Sequence, residues 1–145
     1  MTKLIPFSIS ATNLKNVTIP STVTTISKNA FYSCTSLENV YFGGTVKQWA
    51  TDIAFTNEKS NPMYYAGYLC FGNEPVKDVV VPDSVTSIGD YAFLNCTNFE
   101  NVYYNGTIEE WCNIIFEDRD SNPMNLAEHF YMLDENNEYK EVTRI

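Results

Sequence analysis

Basic side chains and histidine are scarce in this sequence. Nine Lys and Arg stand against eighteen Asp and Glu in 145 residues, and His129 is the only histidine. The formal net charge is −9. Clustered Lys and Arg are what attract nucleic-acid phosphates and anionic membranes, so direct nucleic-acid binding is not expected. A protein partner that is neutral or basic is favoured instead. No run of residues approaches the roughly 20 apolar side chains that span a bilayer, and the opening MTKLIPFSISATN lacks the apolar core of a signal peptide. There is no C-x-x-C pair and no glycine-rich phosphate loop, and Gly43-Gly44 reads as a turn. No metal or cofactor is expected.

What is present supports a folded chain. Hydrophobic residues make up 44% and aromatics 14%, enough for a core, and 19% charged residues is too few for intrinsic disorder. The length fits one domain. The charge is unevenly placed. Up to Gly72 five lysines face Glu38, Asp52 and Glu58, a net of +2; from Asn73 onwards Lys77, Arg119, Lys140 and Arg144 face fifteen acids, a net of −11. Such asymmetry reads either as a solvated face or as an interaction surface.

The sequence also repeats itself. Residues 17–49 return as 79–111 at a constant offset of 62, pairing Pro20 with Pro82, Ile26 with Ile88, Ala30-Phe31 with Ala92-Phe93, Cys34 with Cys96 and Trp49 with Trp111. After one deletion the match continues at 61, from Phe55 and Phe116 to Ser60-Asn61-Pro62-Met63 and Ser121-Asn122-Pro123-Met124. Inside lies a period of 23, seen where Leu14-x-x-Val17 returns as Leu37-x-x-Val40. A stack of coils explains this, since each apolar position must point inward in every coil. Val17 and Ile19, like Val79 and Val81, alternate as strands do. Pro20 and Pro82 close those strands for want of an N–H, and Ala30-Phe31-x-x-Cys34 has the spacing of a short helical turn.

Between the coils a longer segment breaks this rhythm. Thr45 and Thr107 read as helix N-caps, with a Glu to complete the capping box only at Glu110. Trp49 and Trp111, with Ile53 and Ile115 nearby, are expected to turn one face to the core. Pro62 and Pro123 open a second turn that carries Ala66 and Ala127 inward, and strands follow around 68–71 and 130–133. The expected organisation is a single domain over 1–145: a composite module at 14–75, a second at 76–141, and the start of a third unit at 142–145. That last unit reads as part of a longer array, or as a strand lying across the last coil.

The string Ile-Pro-x-x-Val-x-x-Ile-x-x-x-Ala-Phe-x-x-Cys-x-x-Leu, kept closely over 14–42 and 76–104, resembles the BspA-type, or Treponema pallidum-type, leucine-rich repeat family. The resemblance implies an α/β repeat, a right-handed leucine-rich-repeat solenoid of short strands with small helical inserts, and a role in binding. Family members are mostly bacterial surface or secreted proteins implicated in adhesion, which implies a surface location although no signal peptide is visible here.

Few residues suggest chemistry. Cys34 and Cys96 share one repeat position and read as buried thiols, while Cys70 and Cys112 align with Tyr131 and Ala50, so no disulfide framework is visible. His129 aligns with Tyr68, an aromatic core or half-buried position, and nothing marks a paired nucleophile. Glu109-Glu110 and Glu117-Asp118-x-Asp120 align with Lys47-Gln48 and Thr56-Asn57-x-Lys59, so the repeat does not require acids there; a solvated face explains them better than a hydrolase pair or a calcium loop. No catalytic residue is expected.

The surface left for function is the outward side of the strands. It nominates Asn39, Tyr41, Asn101 and Tyr103, with Glu38 and Glu100 beside them; the acidic loop of Glu117, Asp118 and Asp120 adds to the binding set. Asn at these positions can instead bond within the coil. Two functions fit: a non-enzymatic, adhesin-type protein-binding module, or an intracellular, phage-type acidic inhibitor that occupies a basic nucleic-acid-binding surface of an enzyme. An open coil end also invites pairing with a second copy.

Overall fold

A computed structural model describes residues 2–4, 13–28, 30–118 and 121–143. After β1 (Thr2–Leu4), the first module runs β2 (Asn16–Ile19), β3 (Val23–Ile26), β4 (Asn39–Phe42), α1 (Val46–Thr51), β5 (Ala54–Phe55), β6 (Tyr68–Phe71) and β7 (Glu74–Pro75). The second repeats this order as β8 (Asp78–Val81), β9 (Ser87–Ile88), β10 (Asn101–Tyr104), α2 (Ile108–Cys112), β11 (Ile115–Phe116), β12 (His129–Leu133) and β13 (Tyr139–Glu141). This is a repeat α/β fold of short strands with few, short helices. No helix among the described residues is long and apolar enough to cross a membrane.

Each strand forms where apolar residues alternate. In β2 and β8 the inward pairs Val17/Ile19 and Val79/Val81 are buried and their neighbours exposed. Both strands end at the residue before proline, and Val23 then bonds back to the Pro20 carbonyl at 3.2 Å. The spacing of Ala30, Phe31 and Cys34 predicts a helical turn. The structure has successive single turns instead, Ala30 N–H to Ser27 and Cys34 N–H to Phe31. Positive φ angles at Ser33 (65°) and its counterpart Asn95 (55°) stop any helix there, yet all three apolar side chains are fully buried.

Strands from successive coils stack in parallel. One sheet has the order β2-β4-β6-β7 and the other β13-β12-β10-β8, with β7 and β13 antiparallel at an edge. Asn16, Asn39 and Tyr68 share one register row, as do Asp78, Asn101 and His129. The helical inserts do not interrupt this stack. β5 joins β1 and β3 in one small sheet and β11 joins β9 in another, while β6 and β12 extend the large ones. Each insert is therefore an enlarged coil.

Both helices carry a full capping box. Thr107 works with Glu110 as expected, and at Thr45 the Gln48 side chain takes the place of the Glu. Amide oxygen accepts the N-cap N–H as a carboxylate does, so the Glu was not needed. The structure corrects one core assignment: Ile114 is buried, whereas Ile115 is 61% exposed. The deletion falls at the end of α2, which is one residue shorter than α1, so Ile114 and not Ile115 is the counterpart of Ile53.

The modules share one hydrophobic core from Val17 to Met132. Each fully buried aromatic, such as Trp49, Phe31 or Phe93, contributes roughly 1.5–3 kcal/mol from burial. The joint is also hydrogen-bonded: Trp49 Nε1 donates to Ala92 O at 2.6 Å, Asn61 Nδ2 to Tyr91 O at 2.7 Å, and Gly89 N to Ala50 O at 3.1 Å.

Candidate binding surface

Because alternate strand residues point inward, each large sheet presents one face to solvent. On the first, Asn16, Asn39 and Tyr68 form one row and Thr18, Tyr41 and Cys70 the next. Asn39 Nδ2 donates to Asn16 Oδ1 at 2.9 Å, so its amide serves a ladder between coils. Glu38 lies beside it, 4.0 Å from Lys15. Cys70 is outward by register but buried, opposite Tyr41 on one side and Pro75 on the other.

The second face is more elaborate. Asn101 Nδ2 donates to Asp78 Oδ1 at 2.8 Å, repeating the ladder with a carboxylate, and Glu100 pairs with Lys77 at 3.5 Å. Tyr103 stacks on Tyr131 with centroids 4.8 Å apart and planes 12° from parallel. Tyr139 meets Tyr103 edge-on at 5.0 Å, and its hydroxyl donates to Asn105 Oδ1. Exposed Val80 lies in the same row as Tyr103 and Tyr131. Sequence reasoning found Asn101, Tyr103 and Glu100 but missed Tyr131, Tyr139 and Val80. The signal was available in the alignment of the two copies, where Cys70 becomes Tyr131 and Thr18 becomes Val80.

Of the core and half-buried placements that its alignment with Tyr68 left open, the structure excludes the core for His129, whose side chain is 47% exposed. Both positions are outward and exposed, since they open the strands on the solvent row. His129 Nδ1 lies 2.6 Å from Glu141 Oε1, and this hydrogen bond raises the imidazole pKa above its usual 6.5.

The acidic loop divides. Glu117 is exposed, whereas Asp118 is half-buried and turned to local structure: its Oδ1 accepts the N–H of Tyr91 at 3.4 Å, and its carbonyl accepts the Ser121 hydroxyl at 2.6 Å. Asn57 holds the same place in the first module, capping the turn that ends at Ser60. Asp120 lies outside the described residues.

All four cysteines are free; Cys34, Cys70 and Cys96 are buried and Cys112 is exposed. Burial raises the Cys34 and Cys96 thiol pKa values, and burial with Glu74 nearby raises that of Cys70. Among the described residues no cluster of three His, Cys, Asp or Glu is placed to hold a metal ion.

The stacked coils match a known pattern. The family model for the BspA-type leucine-rich repeat region, in six copies, covers residues 2–62 and 65–141. The chain belongs to the BspA-type leucine-rich repeat family. The two matched segments run through the helical inserts, whose strands β6 and β12 continue the large sheets. No curated protein and no solved structure matches the chain. A BspA-type repeat region is an interaction architecture, because stacked coils display long rows of unconstrained side chains.

Proposed function

We propose that this chain is a non-enzymatic, adhesin-type binding module that recognises a neutral or basic protein through its outward strand faces. The observation that carries this reading is the Tyr103–Tyr131–Tyr139 cluster with exposed Val80 on the second face. Tyr103 and Tyr131 are half-buried and Tyr139 is exposed, all on the solvent side of the sheet and outside the core, and aromatic side chains so placed are what protein interfaces use as anchors. Asn101 and Glu100 frame this face. Asn39 and Tyr41 occupy the matching places on the first, and exposed Glu117, just after β11 on the small sheet, adds to the negative charge of the second module.

The test is capture of protein partners by the wild-type chain and by a Tyr103→Ser/Tyr131→Ser double variant, at low and high salt. Partners lost with the double variant support the reading; partners retained by it overturn it. A second reading, an acidic inhibitor of a nucleic-acid-binding enzyme, is favoured by the +2 and −11 split between the halves. It requires capture that weakens steeply with salt and is competed by nucleic acid.

A further inference from the structure

We propose that the second face binds an arginine side chain, carried on an extended segment of a partner protein and seated on the Tyr103–Tyr131 stack beside Asp78 and Glu141. The inference deepens the protein-binding reading and rests on it.

The repeat supplies its own control. What the fold requires recurs in both modules, as Tyr103 recurs as Tyr41. The rest of the second face does not recur. Tyr131 stands where the first module has Cys70, Asp78 where it has Asn16, and Asn105 where it has Gly43. The hairpin also differs: four residues separate Phe71 from Val76, but nine separate the matching Met132 and Val142, and the added length carries Tyr139 and Glu141 onto the face. The first module builds the same sheet without any of these. They depart together, and they depart in one place.

The chemistry of that place is specific. Aromatic faces carry negative quadrupole potential, and a guanidinium, being planar, stacks on them. Tyr103 and Tyr131 cover each other's inner faces at 4.8 Å, so a guanidinium stacks on an outer face of the pair, with Tyr139 as a wall at 64° to Tyr103. Desolvation raises the Tyr131 pKa, and the charges of Glu141, Tyr103 and Asp78 add to the rise in that order. Asn101 bonds Oδ1 of Asp78 and His129 bonds Oε1 of Glu141, and among the described residues neither carboxylate has a hydrogen bond at its other oxygen. Each carboxylate keeps an oxygen for a guanidinium N–H. The nearby lysines do not compete: Lys77 pairs with Glu100 and Lys140 with Asp134 at 3.4 Å. A sugar ring would also stack on tyrosine and its hydroxyls can donate to carboxylates, but being neutral it gains no charge pairing from them.

The test is titration of the full chain with acetyl-Thr-Arg-Thr-Arg-Thr-amide and with the same peptide carrying citrulline, the uncharged isostere, for arginine. Binding is followed by tyrosine-ring NMR shifts at low salt. The arginine peptide should move the Tyr103, Tyr131 and Tyr139 signals and bind at least about fivefold more tightly than the citrulline peptide. Tyr131→Cys and Asp78→Asn restore chemistry that the first module already folds with, and each should weaken binding about fivefold; Tyr41→Ala should change nothing. Equal binding of the two peptides, no binding of either, indifference to both variants, or tighter binding of a neutral trisaccharide to the same rings would each overturn the assignment. If arginine preference fails while the Tyr103→Ser/Tyr131→Ser variant still loses its protein partners, only the arginine assignment falls. If those partners are retained, the broader reading falls with it.

Discussion

Trp49 donates its indole N–H to the carbonyl of Ala92, 43 residues downstream and fully buried, and so ties the first module to the second. Trp111 holds the same repeat position, but among the described residues its indole N–H donates no hydrogen bond. The same holds for Asn61, which donates to Tyr91 O, and its counterpart Asn122. Matching positions therefore carry unequal energies, because among the described residues only the first of each pair reaches a carbonyl of the next coil.

Trp49→Phe should destabilise the chain more than Trp111→Phe, by about 1–3 kcal/mol, since it leaves the buried Ala92 carbonyl without its donor. Urea unfolding of the two variants checks this, and equal losses would rule out the hydrogen bond as the cause.

Asn61→Ala removes the donor to Tyr91 O and the acceptor of the Met63 N–H, both at a fully buried side chain. A loss of roughly 2–4 kcal/mol is expected, and a smaller one for Asn122→Ala, which among the described residues removes only the matching bond from the Met124 N–H. Thermal melts of both variants provide the comparison.

Thiol labelling of the native chain should modify Cys112 alone, because it is the exposed cysteine and burial holds the Cys34, Cys70 and Cys96 thiols protonated at neutral pH. Mass spectrometry after alkylation should show one adduct under native conditions and four in denaturant. Rapid native labelling of Cys96 would contradict the packing described.

The His129–Glu141 pair should titrate as a raised imidazole. Its pKa is higher folded than unfolded, so the pair's stabilising contribution is complete below the unfolded pKa, about 6.5, and is lost as pH rises through the folded value. NMR titration of the His129 ring should give a value above 6.5, and Glu141→Gln should bring it down. An unchanged pKa in that variant would remove Glu141 as the cause.

Much of the fold is legible because core positions are local decisions repeated. Ile19, Ile26, Phe31 and Cys34 are each inward for reasons set within a few residues, and their counterparts Val81, Ile88, Phe93 and Cys96 confirm the pattern. The reading failed where length changed: the deletion near α2 sent Ile115 outward, and the longer hairpin brought Tyr139 beside Tyr103. For His129 the alignment with Tyr68 left core and half-buried both open, and the structure takes the second, with Tyr68 half exposed at 50% and the His129 side chain at 47%.

The sequence by itself determined the repeat, its period, the inward face of each coil and the charge difference between the modules. Those depend on the order of apolar and polar residues along the chain, which alternation and turn chemistry translate directly into strands and corners. Only the tertiary structure decided which outward residues become neighbours. Tyr103, Tyr131 and Glu141 lie far apart in sequence, and it is parallel stacking of β10 on β12, with β13 folded back antiparallel, that places them in one row. Register between strands is a long-range choice, set when whole coils pack, and so it leaves no trace in any single coil.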